Sequence, residues 1–195
     1  MKKNIDTMQQ ILDTGQNLIQ ERGYNAISYA DVAEQIGIKK ASIHYYFPAK
    51  QDLVQAILKR YRTEFMTGLN QIGRSSDSPE ENLYRFFQYY RDPLVENAKL
   101  CLCSMMAAEL VSFPMEIRDE INGFFRDNET WLENVIEQGR EMGILDSQIS
   151  SKEQSQIIMA FVQGAQLLAR SSGDLQYYDM MVRNLLKNLN ILTSP

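Results

Sequence analysis

Gly37 to Lys50 read GIKKASIHYYFPAK. A glycine opens this stretch and Pro48 nearly closes it. Between them lie two adjacent lysines, two small residues and a His-Tyr-Tyr-Phe run holding the chain's one histidine. Proline lacks an N–H and restrains the residue before it, so a helix opening at Lys39 or Lys40 can run only to about Phe47. Upstream, Ser28 stands three residues before Asp31, close to a capping box. That pair predicts a short helix from about Tyr29 to Ile36, burying Val32, Ala33 and Ile36 and broken by Gly37. Two short helices joined by a glycine turn make a helix-turn-helix, and the second helix of such a pair can lie in the major groove of DNA.

The first residues of that second helix would meet base edges. Lys39 and Lys40 can donate to guanine O6 and N7. Ser42 can bond several bases, and Ala41 permits close approach or touches a thymine methyl. A helix N-terminus itself favours phosphate. His44, Tyr45 and Tyr46 add donors further along, and Lys50 opens the next helix as a phosphate contact, positioning the protein rather than reading sequence. Ile36, Ile38, Ile43 and Phe47 are the expected buried counterparts. Taken singly, a Lys-Lys pair also reads as solvated surface and a tyrosine pair as packing; the arrangement points further than its parts.

The charge distribution agrees. Of the 195 residues, 44% are hydrophobic, and the net charge is −5. Residues 1–50 carry six Lys/Arg against five Asp/Glu, a net of +1, while residues 51–195 carry fourteen against twenty, a net of −6. The N-terminal quarter is thus the part that a polyanion does not repel. With five prolines, ten glycines and no alternating Val/Ile/Thr runs, the expected class is all-α. MKKNIDTMQQ has no apolar run after its lysines, no window suits a membrane span, and Cys101 and Cys103 are too few and too close for a disulfide framework. A cytoplasmic protein without cofactor or metal is expected.

Outward from the helix-turn-helix, Ile5, Met8, Ile11, Leu12, Leu18 and Ile19 predict a first amphipathic helix over Asp6–Arg22, ended by Gly23. A long helix is expected from about Ala49 to Ile72, with Leu53, Ile57, Tyr61 and Phe65 on one face. GRSSDSP, Gly73 to Pro79, is the clearest linker. Further segments follow at Pro79 to about Glu96, at the nearly continuous apolar run Leu100–Phe113, at Met115–Met142, at Ser151–Ser171 and at Asp174–Leu192, making about nine helices. The expected organisation is a three-helix DNA-binding domain over 1–50. A helical ligand-binding and dimerisation domain follows over 51–195, its first helix connecting the two.

SYADVAEQIGIKKASIHYYFPAKQDLV resembles the DNA-binding signature of the TetR/AcrR regulators, over about Ile11 to Leu58. By that resemblance Ser28 caps the second helix and can contact phosphate, Lys39, Lys40 and Ser42 fall where the family reads bases, and Tyr45 and Tyr46 occupy its aromatic and His/Tyr positions. Lys50 matches its phosphate-binding lysine. Lys39 replaces a common serine and His44 a usual tyrosine, which bears on the operator sequence. The resemblance implies a ligand-responsive homodimeric repressor of double-stranded operator DNA, joined through its last two helices and released by a small-molecule effector. IIMAFVQGAQLLARSS and MMVRNLLKNLNIL permit that four-helix junction.

Candidate pocket residues are Phe86, Phe87, Tyr90, Met105, Met106, Phe125, Trp131 and Phe161. Aromatic and methionine walls suit an apolar or aromatic ligand, and such residues at helical spacing are also ordinary core. LCLCSMMAAEL, Leu100 to Leu110, resembles a segment in one branch of the family in which a cysteine senses electrophiles or oxidants, and Cys101 matches its position. Cys103 lies about 200° further round a helix, so the two thiols are not expected to share a face. The alternatives are a thiol sensor acting through Cys101, a helical adaptor, or an all-helical enzyme. For the enzyme there is no nucleophile motif, metal spacing or phosphate loop, and Glu116, Glu120, Glu133 and Glu137 fit a solvated face.

Overall fold

The computed structural model describes residues 2–145 and 148–189, with the backbone alone at 2–5 and 97. Nine α-helices occupy them: α1 (Lys2–Arg22), α2 (Tyr29–Ile36), α3 (Lys40–Tyr46), α4 (Lys50–Ser75), α5 (Pro79–Asn97), α6 (Leu102–Ala107), α7 (Met115–Glu141), α8 (Ser151–Ser172) and α9 (Leu175–Asn188). A 3₁₀ turn, Leu110–Ser112, lies between α6 and α7, and no strand occurs among the described residues. None of these helices is long and apolar enough to cross a membrane. The end of the last expected helix, up to Leu192, lies outside the described residues.

The chain forms two compact units. The first holds residues up to Glu64 together with Cys101–Gly123, and the second holds Phe65–Leu100 together with the described residues from Phe124 onward. Residues 101–123 are bound into the first unit by side-chain contacts. The Tyr24 and Phe113 rings meet edge to face at 4.8 Å, Arg62 pairs with Glu120 at 3.3 Å, and Asn25 donates to the Glu109 carboxylate. Glu120 is therefore a partner within this unit rather than part of a purely solvated face.

In the first unit, α1 buries Ile11, Leu12, Leu18 and Ile19 and stops where Gly23 takes a φ of +85°. The Ser28 N–H donates to Asp31 Oδ2 at 2.7 Å and the Asp31 N–H donates to Ser28 Oγ at 3.4 Å, completing the capping box of α2. These Ser28 bonds hold the Asp31 carboxyl below its ordinary value. At the other end Gly37 has φ +77°. Its N–H donates to Glu34 O at 3.2 Å and the Ile38 N–H to Ala33 O at 3.0 Å, a Schellman closure. Ile43 and Phe47 are buried as expected. Ile36 and Ile38 are only half-buried, because they flank the turn itself.

Two segments depart from expectation. Leu100–Phe113 is not one buried helix: α6 ends at Ala107, and Val111 is 91% exposed while Leu102, Cys103 and Met106 are buried. Glu109 interrupts the run, its carboxylate turned to Asn25. The Gly73–Pro79 linker is also shorter than its composition suggests. α4 continues to Ser75, where Arg85 donates to Ser75 Oγ at 2.7 Å. Ser78 then caps α5, accepting from the Glu81 N–H at 3.1 Å.

In the second unit α8 packs on α9, and α5 on both. Phe86, Phe87, Phe124, Leu132, Ile158, Val162 and Tyr178 are fully buried or nearly so. Three buried polar side chains here are paired: the Tyr178 hydroxyl donates to Phe87 O at 2.8 Å, the Gln166 amide to Tyr90 O at 2.5 Å, and the Tyr90 hydroxyl to Asn128 Oδ1 at 3.1 Å. Arg91 forks onto Asp179, with Nε–Oδ1 at 2.5 Å and Nη2–Oδ2 at 2.8 Å, tying α5 to α9. The Arg91 hydrogen bond holds the Asp179 carboxyl below its ordinary 3.8. The stabilisation is therefore fully present above about pH 4 and is lost as pH falls through the lower folded value. Arg91→Gln is expected to flatten that acid limb in urea unfolding measured from pH 5 downward; an unchanged acid limb would show that the pair does not contribute.

Candidate nucleic-acid interface

The interface is built on α3. Lys39 precedes the helix with extended backbone (φ −77°, ψ 141°), and its side chain makes no capping bond. Lys39, Lys40, Ala41, His44 and Tyr45 are exposed, Tyr45 to 78%, whereas Ser42 and Tyr46 are half-buried. Ile43 on the opposite side is fully buried. The helix thus presents one polar and aromatic face while an apolar residue anchors the other. Ile38, Lys39, Ala41, Ser42, Tyr45 and Tyr46 line an open groove of about 590 Å³, together with Thr7 of α1. Thr7 is a member of this groove that the sequence motif does not include. Its signal is its place one turn before Ile11, on the stripe by which α1 faces its neighbours.

The remaining candidates brace this face. His44 Nδ1–H donates to Pro48 O at 3.3 Å, and its ring stands edge-on to Tyr29 at 4.8 Å. The Tyr29 hydroxyl donates to Phe47 O at 2.8 Å, fixing the end of α3. Burial first, then the Asp52 charge, push that phenol up to about 12, so it remains a donor. Tyr45 and Tyr46 meet edge to face at 5.2 Å. Lys50 Nζ donates to Tyr24 O at 2.6 Å and stands 3.8 Å from the centre of the Tyr24 ring. Burial lowers its affinity for the proton. One ammonium hydrogen is thus held inside the protein, and two remain for other acceptors. Ser28 is exposed, with its hydroxyl engaged in the cap of α2.

The proposed pocket residues fall in both units. Cys101, Met105 and Met106 belong to the first unit; Cys101 and Met106 are buried and Met105 half-buried. The aromatic candidates belong to the second. There Phe86 stacks on Trp131 at 5.8 Å and 15° and leans on Tyr90 at 5.0 Å. Phe161 touches Phe87 at 6.4 Å, and Phe125 touches Phe124 at 5.6 Å. The two cysteines correct the expectation drawn from helical spacing. Cys101 is the residue before α6, with φ −52° and ψ 127°, so the helical step between successive residues does not apply to it. Burial pushes its thiol up. Hydrogen bonds at its sulfur from Cys103, the Ser104 N–H, Tyr61 and the Ser104 hydroxyl outweigh that and bring it below the ordinary value. Cys103 is pushed the other way by burial and by Cys101.

A three-helix head with a glycine turn, an anchored recognition helix and an exposed basic and aromatic face defines a helix-turn-helix DNA-binding regulator. Residues 11–57 match the family profile described as bacterial regulatory proteins, tetR family, and residues 79–185 match the tetracyclin repressor-like C-terminal domain. The chain belongs to the TetR family. The crystal structure of a TetR-family transcriptional regulator from Agrobacterium tumefaciens superposes with a TM-score of 0.92 at 32% identity, covering 95% of this chain and 98% of that one. A TetR transcriptional regulator from Legionella pneumophila gives 0.85 at 32% identity, covering 92% and 95%. The HTH-type transcriptional repressor NemR of Escherichia coli K12 is 22% identical over 193 residues, 97% of this chain and 96% of its own. The protein is a DNA-binding transcriptional regulator of this family.

Proposed function

We propose that the chain works as a homodimer that holds two α3 helices at the half-sites of a two-fold operator. In this reading Lys39, Lys40, Ala41, Ser42, Tyr45 and Tyr46 face the major groove, and Ser28, His44 and Lys50 set the head and touch the backbone. The observation that carries it is the exposure of one face of α3 over the buried Ile43. A two-fold protein on a two-fold operator fixes the spacing of its half-sites in whole turns of DNA.

The dimer contact assigned to α8 and α9 rests on a stripe of uncovered apolar residues. Ile157, Leu167 and Leu168 of α8 are each about half exposed, as is Met180 of α9. Ala160 and Gly164 fall in the same stripe of α8, at the spacing of one helix face. A Cβ built at Gly164 meets nothing within 4 Å, so another helix can approach closely there. Leu167→Glu with Leu168→Glu is expected to give monomers in sedimentation velocity and to weaken operator binding as the second head loses its tether. A variant that stays dimeric would remove α8 from the contact.

Release by an effector is the regulatory half of the proposal. α4 is one continuous helix, separated from α3 by three residues, and runs on into the second unit. An effector binding one arrangement of α4 better than another shifts the population of heads at operator spacing. The effector surface proposed is the aromatic set around Phe86, Phe87, Tyr90 and Trp131, with Phe125 and Phe161 at its margins, for an apolar or aromatic ligand. A second reading is favoured by the paired thiols: Cys101, with its lowered thiol beside Cys103, would be modified by an electrophile, with Met105 and Met106 beside it in α6. Cys101→Ser is expected to abolish operator release by a thiol-reactive compound while leaving DNA binding unchanged. Release that survives the substitution would exclude the covalent route.

A further inference from the structure

α5 and α9 face each other in the second unit across a cleft that the DNA-binding function does not use. Its α5 wall is Tyr84, Gln88 and Arg91, at successive turns of one helix face. Its α9 wall is Asp179, Val182, Arg183 and Leu186, at the same spacing, with Tyr178 below. The cleft measures about 280 Å³, at the small end of ligand pockets, so its occupant is small.

Its charge is specific. Arg91 and Asp179 neutralise one another through two short hydrogen bonds. Arg183 is exposed and acts on Asp179 only as a nearby charge. The lining residues therefore carry one net positive charge, on a planar fork that fits a carboxylate in two-point fashion; Asp92, outside the lining, acts on Arg91 and Tyr178 as a further charge. The Asp179 carboxylate in the same wall disfavours a dianion such as phosphate. Tyr84, 45% exposed, and the half-buried Gln88 amide stand as further donors across from Arg183. Val182, Leu186 and the Tyr178 ring, all buried, supply an apolar floor, and the Tyr178 hydroxyl is turned away to Phe87 O.

We propose that this α5–α9 cleft binds a small aromatic or apolar monocarboxylate, with Arg183 as its carboxylate anchor. The site is separate from the effector surface proposed above and from the thiol pair, and its occupation is measurable without DNA.

The test is calorimetric titration of the full chain with sodium benzoate, alongside benzamidine, which has the same shape and opposite charge, and inorganic phosphate. Saturable benzoate binding is expected, with no binding of benzamidine or phosphate. Arg183→Ala should weaken benzoate by about tenfold, the effect of removing one charge-assisted hydrogen-bonding partner. Arg183→Lys should restore part of it and shows that the exposed position tolerates change. Absence of saturable benzoate binding would overturn the proposal. So would equal binding of benzamidine, displacement of benzoate by phosphate, or an Arg183→Ala variant that binds as the wild type does, because the ligand would then sit elsewhere or be held without the guanidinium.

Discussion

Lys39→Ala combined with Lys40→Ala is expected to weaken operator binding by about 100-fold or more at moderate salt, and to lower the slope of log affinity against log salt by roughly 0.9 for each phosphate no longer neutralised. Both side chains are exposed, and Lys39 makes no capping bond that folding would miss. Thermal unfolding should therefore be unchanged, which separates weakened recognition from damaged structure. In the proposed dimer the effect counts twice, because each protomer brings the same pair. Fluorescence anisotropy of a labelled upstream fragment across a salt series reads both quantities. If affinity and slope stay as in the wild type, the pair is solvated surface, and recognition must rest on Ser42, Tyr45 and Tyr46.

The second large effect belongs to the core. Phe86 is fully buried, stacks on Trp131 and touches Phe87 and Tyr90. Phe86→Ala removes a ring from a site whose neighbours are themselves rings and cannot collapse far. A loss of about 3–5 kcal/mol is expected, read as a lower urea midpoint with an unchanged slope. The same variant bears on the effector. If the aromatic set is a ligand surface, the opened space should alter the response to apolar compounds, whereas a purely structural ring would change stability and leave the response of the folded fraction alone. A loss below about 1 kcal/mol would mean that the cluster is looser than its ring geometry indicates.

The DNA-binding head is legible in the sequence because its signals are local. Ser28 with Asp31, Gly37 and Pro48 each fix the backbone within a few residues, and the helix ends lie where those residues put them. Beyond the head, legibility falls with distance along the chain. GRSSDSP has loop composition, yet Ser75 stays helical because Arg85, ten residues later, reaches back to its hydroxyl. Nothing within the heptapeptide announces that bond. Likewise the break after Ala107 depends on Asn25 holding Glu109, partners 84 residues apart. The relation of the two thiols is hidden for a different reason. Helical spacing stops one residue short of Cys101, whose backbone is not helical, so the angle expected between it and Cys103 does not hold. The groove beside α3 needs Thr7, which only the packing of α1 beside the head brings there.

Lys50 is the first residue of α4, and its ammonium is bonded to the carbonyl and ring of Tyr24, just beyond the end of α1. The lysine therefore works as a keyed joint. It ties the first turn of α4 to the α1–α2 turn through a side chain, as well as along the chain to α3. With Tyr29 pinning the end of α3 at Phe47, the beginning of α4, the α1–α2 turn and the end of α3 are cross-linked by side chains as well as by the backbone, so a change in any one of them has to break a bond to leave the others unmoved.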